Sequence, residues 1–286
     1  MFKLFLYKLG IFVLNHFSIS TSYKFAAVIS DVQHFFSFRD RKAVQNNLKV
    51  ILPDSSDVPF HAREVFRNFG RYLVEFFKTS EIIDDDFIKN RVQISGAQHL
   101  ECALKGGKGG IIVSAHIGNW ELGAMLVSML GYPLMAVALP HKERPVNDLF
   151  NQRREAKGIT VVPMNMAIRR CTEQLKENKF IALVADRDFS NRGFEMDFLG
   201  RKMLIPKGPA MFSWKTGAPI IPVFLVRGEN GNFIMTCCKP IDPPSKNTPL
   251  SEDEVVLGIM RRYVPIIEEQ IRACPSQWLL FRELFI

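Results

Sequence analysis

The chain has 286 residues, 47% hydrophobic and 23% charged, and its 37 Lys and Arg against 29 Asp and Glu leave a net charge of +8 at neutral pH. That composition excludes a disordered chain, a small disulfide scaffold and a multi-span membrane protein. The length accommodates one large domain or two modest ones around a substantial core. Five cysteines (Cys102, Cys171, Cys237, Cys238 and Cys274) form an odd set without CxxC spacing, which argues against a metal or disulfide framework and fits a reducing compartment.

The opening MFKLFLYKLGIFVLNHF is dense in Phe, Leu and Ile but interrupted by Lys3, Lys8, Asn15 and His16. It falls short of the roughly 20 apolar residues that a spanning helix needs. No small-residue cleavage site of a signal peptide follows it. A helix lying in a bilayer interface remains, with lysines toward lipid phosphates. Residues 1–50 hold Lys3, Lys8, Lys24, Arg39, Arg41, Lys42 and Lys49 against Asp31 and Asp40, which suits an anionic membrane face. An ordinary core helix of a basic protein gives the same pattern. Nucleic acid is disfavoured as a partner, because no Lys/Arg run with interleaved aromatics occurs.

Residues 1–95 read as helical. RKAVQNNLKVIL and HAREVFRNFGRYLVEFFKTSEII carry apolar groups at three- and four-residue spacing, and turn residues at 54–59 separate them. From about Val92, short apolar runs alternate with helical patterns. GIIVSA (110–115), PLMAVAL (133–139), ITVVP (159–163), FIALVAD (180–186) and PIIPVFLV (219–226) read as buried strands, with helices at 119–130, 145–157, 166–178 and 207–216. NFIMTCCKP is expected to return antiparallel through a turn at 228–232. SEDEVVLGIMRRYVPIIEEQI reads as an acid-capped helix with Pro265 inside it. The expected fold is α/β, with a mostly parallel central sheet flanked by helices. A helical, membrane-oriented segment at 1–95 precedes an α/β unit at 96–286, as two units or one continuous domain.

The stretch GGKGGIIVSAHIGNWELG, residues 106–123, carries the chemistry. A buried strand ends at Ala115, and His116 follows at the carboxyl edge of the sheet, where open α/β sheets bind ligands. Asn119 can cap the next helix, with Glu121 in its first turn. His116 and Glu121 lie five apart, about 140° on a continuous helix, so they meet only if His116 stands outside it. A His beside a carboxylate is an activated general base. With no GxSxG elbow, the nucleophile is then a substrate hydroxyl. Backbone N–H groups near Gly118, or a nearby cation, are candidates for holding an oxyanion. A structural His at a strand end is the competing reading. Neither HExxH nor a second His nearby offers metal ligands.

A second cluster, ADRDFSNRGFEMDFLGRKMLIPKGPA at 185–210, follows another strand. Asp186 and Asp188 stand at its carboxyl end, where an orienting role fits better than that of a second base. Residues 190–193 make a turn, and FEMDFLGRKMLIP alternates around Gly200 like a hairpin. Arg187, Arg192, Arg201, Lys202 and Lys207 could hold the phosphates of a lipid head or dock an acidic carrier protein. Plain solvated charge is the alternative. Cys237, Cys238, Trp120 and Trp278 read as packing.

The run AHIGNWELG resembles the HxxxxD/E block of the lysophospholipid acyltransferase superfamily. It is similar above all to the bacterial lipid A biosynthesis (lauroyl/myristoyl) acyltransferases and their mycobacterial phosphatidylinositol-mannoside relatives. RKAVQNNLKVILP, RPVNDLFNQRREAKGITVVP, the 185–210 block and the closing QWLLFRELF resemble further blocks in order, over most of the chain. The resemblance implies a glycerolphosphate-acyltransferase-like fold. It implies transfer of a fatty acyl group from acyl carrier protein or coenzyme A to a hydroxyl of a membrane glycolipid, a lipid A precursor in lipopolysaccharide synthesis. It carries the base onto His116, its acidic partner onto Glu121, and the arginine of an RxxxG element onto Arg154, which shares a helix face with Asn151. It implies no metal or prosthetic group, and peripheral or monotopic residence on the cytoplasmic face of the bacterial inner membrane. Hydrolysis by the same His–acid pair, and non-catalytic lipid binding, are the competing functions.

Overall fold

The computed structural model describes residues 2–53, 55–79, 83–189, 191–228 and 231–285. Helices α1 (Phe2–Asn15) and α2 (Ile19–Phe36) meet at Ser18, whose hydroxyl caps α2 by accepting from the Thr21 N–H. Helices α3 (Phe38–Ile51) and α4 (Val58–Phe77) follow, with Pro59 opening α4. They match the two helices expected from periodicity. Asp54 of the connecting turn, and residues 80–82 at the end of the second expected helix, lie outside the described residues.

Helix α2 is built inside out. Its stripe Phe25, Val28, Ile29, Val32, Phe35 and Phe36 faces outward, Ile29 and Phe36 at 67% and 69% exposure, while Ser22 and Ser30 are buried at 1% and 3%. Those small residues allow close packing on α4, where a Cβ at Gly70 would stand 2.4 Å from Ser30 Oγ and 3.1 Å from Ala26 O. No helix among the described residues is long and apolar enough to cross a membrane.

The rest alternates. Helix α5 (Asp85–Arg91), capped by Asp84, leads into strand β1 (Val92–Ser95), α6 (Gln98–Lys105), β2 (Gly110–Ser114), α7 (Trp120–Met129) and β3 (Leu134–Ala138). Then come α8 (Arg144–Glu155), β4 (Ile159–Pro163), α9 (Ala167–Lys176) and β5 (Phe180–Val184). The remainder is β6 (Phe194–Phe198), β7 (Arg201–Ile205), α10 (Gly208–Thr216), β8 (Ile220–Arg227), β9 (Phe233–Cys237) and α11 (Glu252–Ala273). Seven strands form one sheet in the order β1-β9-β8-β2-β5-β3-β4, parallel except where β9 returns against β8. This is the mostly parallel, helix-flanked sheet expected. The separate hairpin β6–β7 turns at Leu199 and Gly200, both at positive φ. Of the 228–232 turn, residues 229 and 230 lie outside the described residues, as does Ser190. Ser251 and Glu254 close a capping box on α11.

Strand β1 was not among the strands expected. It is four residues long and buries only Val92 fully, so it carries no apolar run. Residues of α3 and α4, among them Leu48, Val65 and Phe66, share one hydrophobic cluster with Ile111 and Val113 of β2. Gly70→Val is expected to push α2 off α4 and cost about 1–3 kcal/mol. Guanidinium unfolding measures this, and an unchanged midpoint would show that the helices do not meet there.

Candidate active site

Strands β2 and β5 run parallel with Ser114 opposite Val184, so the residues two places further on, His116 and Asp186, leave the carboxyl rim side by side. Asp186 Oδ1 lies 2.8 Å from His116 Nδ1. Its Oδ2 accepts from the His116 backbone N–H at 3.0 Å and from the Trp278 indole N–H at 2.9 Å. Asp186 has no solvent exposure. Burial pushes its carboxyl upward, but the adjacent His116 charge and the hydrogen bonds from His116 and Trp278 hold it below the usual carboxylate range. The shift is downward, so the stability it contributes is present above that range and lost as pH falls through the lowered value. An ionised Asp186 keeps the proton on Nδ1 and leaves Nε2 as the acceptor. The His116 ring meets the edge of Trp120 at 4.9 Å and lines a cavity.

The expected pairing of His116 with Glu121 is not formed. Glu121 does stand in the first turn of α7, but Arg154 of α8 takes both of its oxygens, Nε to Oε2 at 2.9 Å and Nη2 to Oε1 at 2.6 Å. Both side chains are buried, and a buried carboxylate is held best by a permanent, bidentate cation. Arg154 also donates to Asn151 Oδ1 at 3.0 Å, so the helix face read from the sequence is real, yet it points inward. Burial and the Glu121 charge raise the nearby Tyr72 phenol well above its ordinary range.

One further expectation needs correcting. The Gly118 N–H already donates to Gln277 O at 2.9 Å, so it has no proton to offer an oxyanion. Gly118 sits at φ +59, and a Cβ there would lie 2.0 Å from Leu225 O. Asn119 caps α7 as expected; it is fully buried and does not line the cavity. Its Oδ1 accepts from Leu122 N–H at 3.0 Å, capping α7, and its Nδ2 donates to Glu75 Oε2 at 2.7 Å.

Of the expected cations, Arg187, Arg192 and Lys207 line the same cavity as His116, together with Asp188. Asp188 Oδ2 accepts from the Arg192 and Gly193 N–H groups at 2.9 and 2.8 Å, which folds the turn after β5. Arg187 lies 4.3 Å over the Phe189 ring and Lys207 5.0 Å over Phe194. Arg201 does not join them. It borders a different depression with Asn46 and Glu283, because Gly200 turns the hairpin at its tip. Lys215, not singled out from the sequence, lines the same cavity.

The cavity encloses about 990 Å³, and its lining is chiefly apolar. Ile112, Ala136 and Ala182 of the sheet and Gly123, Ala124 and Val127 of α7 line one part of it. Among the described residues, no group of three or more His, Cys, Asp or Glu side chains is placed to hold a metal ion. In the sequence Trp278 reads as packing, and nothing marks Glu75. Only strand register and chain-distant contacts reveal their roles.

A family model described as bacterial lipid A biosynthesis acyltransferase matches residues 1–286. The chain is similar to the phosphatidylinositol mannoside acyltransferase of Mycobacterium tuberculosis, 32% identical over 161 residues that cover 54% of this chain and 51% of the relative. The Mycolicibacterium smegmatis protein of the same name is 31% identical over 185 residues, covering 63% and 60%. The lipid A biosynthesis palmitoleoyltransferase of Escherichia coli is 22% identical over 254 residues, covering 87% and 80%. The chain thus spans about half the length of the curated relatives that it matches at the higher identities.

Arg154→Met strands the buried Glu121 carboxylate and is expected to cost about 3–5 kcal/mol. The double variant Arg154→Met, Glu121→Gln should recover most of that loss. Chemical denaturation of the four proteins gives the coupling, and a cycle that closes at zero would remove the ion pair from the account of this wall.

Proposed function

The chain belongs to the bacterial lipid A biosynthesis acyltransferase family, and on that premise we propose that it moves a fatty acyl group from a thioester donor to a hydroxyl of a membrane glycolipid of the lipid A precursor kind. The observation that carries this reading is His116, paired with the buried Asp186, lining a mostly apolar cavity of about 990 Å³. His116 Nε2 takes the proton of the acceptor hydroxyl, and that oxygen attacks the thioester carbonyl. Asp186 holds the ring and stabilises the imidazolium. The tetrahedral intermediate collapses with cleavage of the C–S bond, and the departing sulfur takes the proton from His116. With the Gly118 N–H committed elsewhere, oxyanion stabilisation falls to cations lining the cavity, of which Arg187 follows Asp186 directly in the chain. No prosthetic group takes part in these steps.

The apolar lining suits an acyl chain. Arg187, Arg192, Lys207 and Lys215 suit the phosphates of the acceptor, or the anionic carrier of the donor, be it acyl carrier protein or coenzyme A. Glu121 and Arg154 build a polar wall of the same cavity. Segment 1–95 acts as the lipid-facing unit and 96–286 as the catalytic one. The outward stripe of α2, flanked by exposed Lys8, Lys24, Arg39 and Lys42, fits an anionic lipid surface, with the enzyme peripheral on the cytoplasmic face of the inner membrane.

Purified protein given vesicles, an under-acylated lipid A precursor and an acyl thioester should yield a lipid heavier by one acyl group in mass spectrometry. His116→Ala and Asp186→Asn should each lower that rate about 10²–10⁴-fold with the circular dichroism unchanged. Normal turnover by a folded His116→Ala protein would overturn the base assignment, and free fatty acid as the only product would replace transfer with hydrolysis.

A further inference from the structure

Behind the catalytic turn lies a second buried carboxylate that the reaction does not use. Glu75 of α4 is 2% exposed, and three elements meet on it. The Tyr23 hydroxyl of α2 donates to Oε1 at 2.7 Å, the Asn119 amide to Oε2 at 2.7 Å, and the Arg227 guanidinium at the end of β8 donates to Oε1. Arg227 is tied onward. Its backbone N–H and C=O both bond the Gln277 side chain at 2.8 Å, and the Gln277 carbonyl accepts from Gly118 N–H. Asn119 N–H donates to Leu225 O at 2.9 Å, and Leu279 N–H to His116 O at 2.7 Å. Apart from its bonds into α7, the 116–119 turn is thus fastened to Asp186 just past β5, to β8, to the 277–279 segment and to Glu75.

Tyr23 differs from the rest of this ring, because it stands on the helix whose other face is the outward apolar stripe. A buried carboxylate that loses a donor is costly, so the position of α2 and the position of Asn119 are not independent. Asn119 caps α7 three residues beyond His116, and a shift of its amide moves the turn itself. Lys78 adds a second tie at the same end of α4, donating to Leu14 O and Phe17 O at 2.8 and 3.1 Å at the junction of α1 and α2.

We propose that Glu75 is a positioning residue that couples the lipid-facing helix α2, through Tyr23, to the turn carrying His116, so that seating α2 on an anionic lipid surface orders the catalytic turn. This inference rests on the reading of α2 and His116 given above. Its consequence is a site that is loose in free solution and firm on the membrane that holds the acceptor, which limits idle hydrolysis of the thioester.

Hydrogen–deuterium exchange on the full chain tests it without any assay of transfer. Vesicles of mixed phosphatidylglycerol and phosphatidylcholine should slow exchange over 19–36 and, several-fold, at the Gly118, Asn119, Leu122 and Gly123 amides. In Tyr23→Phe the slowing over 19–36 should persist and that at 118–123 should disappear; Glu75→Gln should behave the same way. Equal slowing at 118–123 in Tyr23→Phe would overturn the coupling, as would no slowing there in the parent protein or none over 19–36. Faster exchange of Tyr23→Phe throughout β2 and β5 would show plain loss of stability and overturn it as well. A chain that passes this test but transfers no acyl group would retain the coupling and lose the reaction assigned to it.

Discussion

The site depends on one carboxylate kept ionised with no water around it. Asp186 survives in that state because three N–H groups converge on it, from the His116 ring, the His116 backbone and Trp278. The two donors of His116 are in place because β2 and β5 are hydrogen-bonded neighbours in matched register, and the 277–279 segment brings the third. A slip of one residue would turn each side chain to the opposite face and leave both an unpaired buried charge and an unoriented imidazole. Register in the middle of the sheet therefore turns Nδ1 of His116 toward Asp186, and the ionised carboxylate keeps the proton on that nitrogen.

The same economy of charge recurs around the rim. Three buried carboxylates stand near the His116 turn, and each has its own partner: Asp186 with His116, Glu121 with Arg154, Glu75 with Arg227. Buried ion pairs contribute little net stability against apolar replacements but are expensive to break singly, so such pairs fix geometry more than they strengthen the fold. The three pairs fasten different objects. One orients the imidazole, one holds α8 against α7 and lines the cavity, and one joins the turn to the amino-terminal helices.

Those helices carry the other departure from ordinary packing. In a water-soluble bundle, α2 would bury Phe25, Ile29 and Phe36 and expose its serines; here the order is reversed. Close approach of α2 to α4 at Gly70 needs small residues inward, which leaves the large ones outward. That outward stripe is the face proposed above to meet anionic lipid.

Local pattern was enough to locate most elements. The apolar runs ending at Ala115 and near Ala185 marked central strands, and with them the carboxyl rim where His116 and Asp186 stand. Periodicity likewise marked α3, α4 and the helix from Glu252, and the alternation around Gly200 marked the hairpin. Strand β1 escaped because it is four residues long and buries only Val92, which leaves no apolar run. The partner of His116 was not legible. Glu121 is five residues away and Asp186 seventy, and nothing in either local pattern says which carboxylate the ring meets. The N–H of Gly118, the inward turn of Arg154 and the indole of Trp278 belong to the same class. By itself the amino-acid sequence determined most of the strands and helices and where the chain leaves the sheet, since side-chain periodicity is a property of neighbours along the chain. Only the tertiary structure decided who bonds whom at that rim, since strand order and register bring together residues whose separation in the chain carries no trace of their contact.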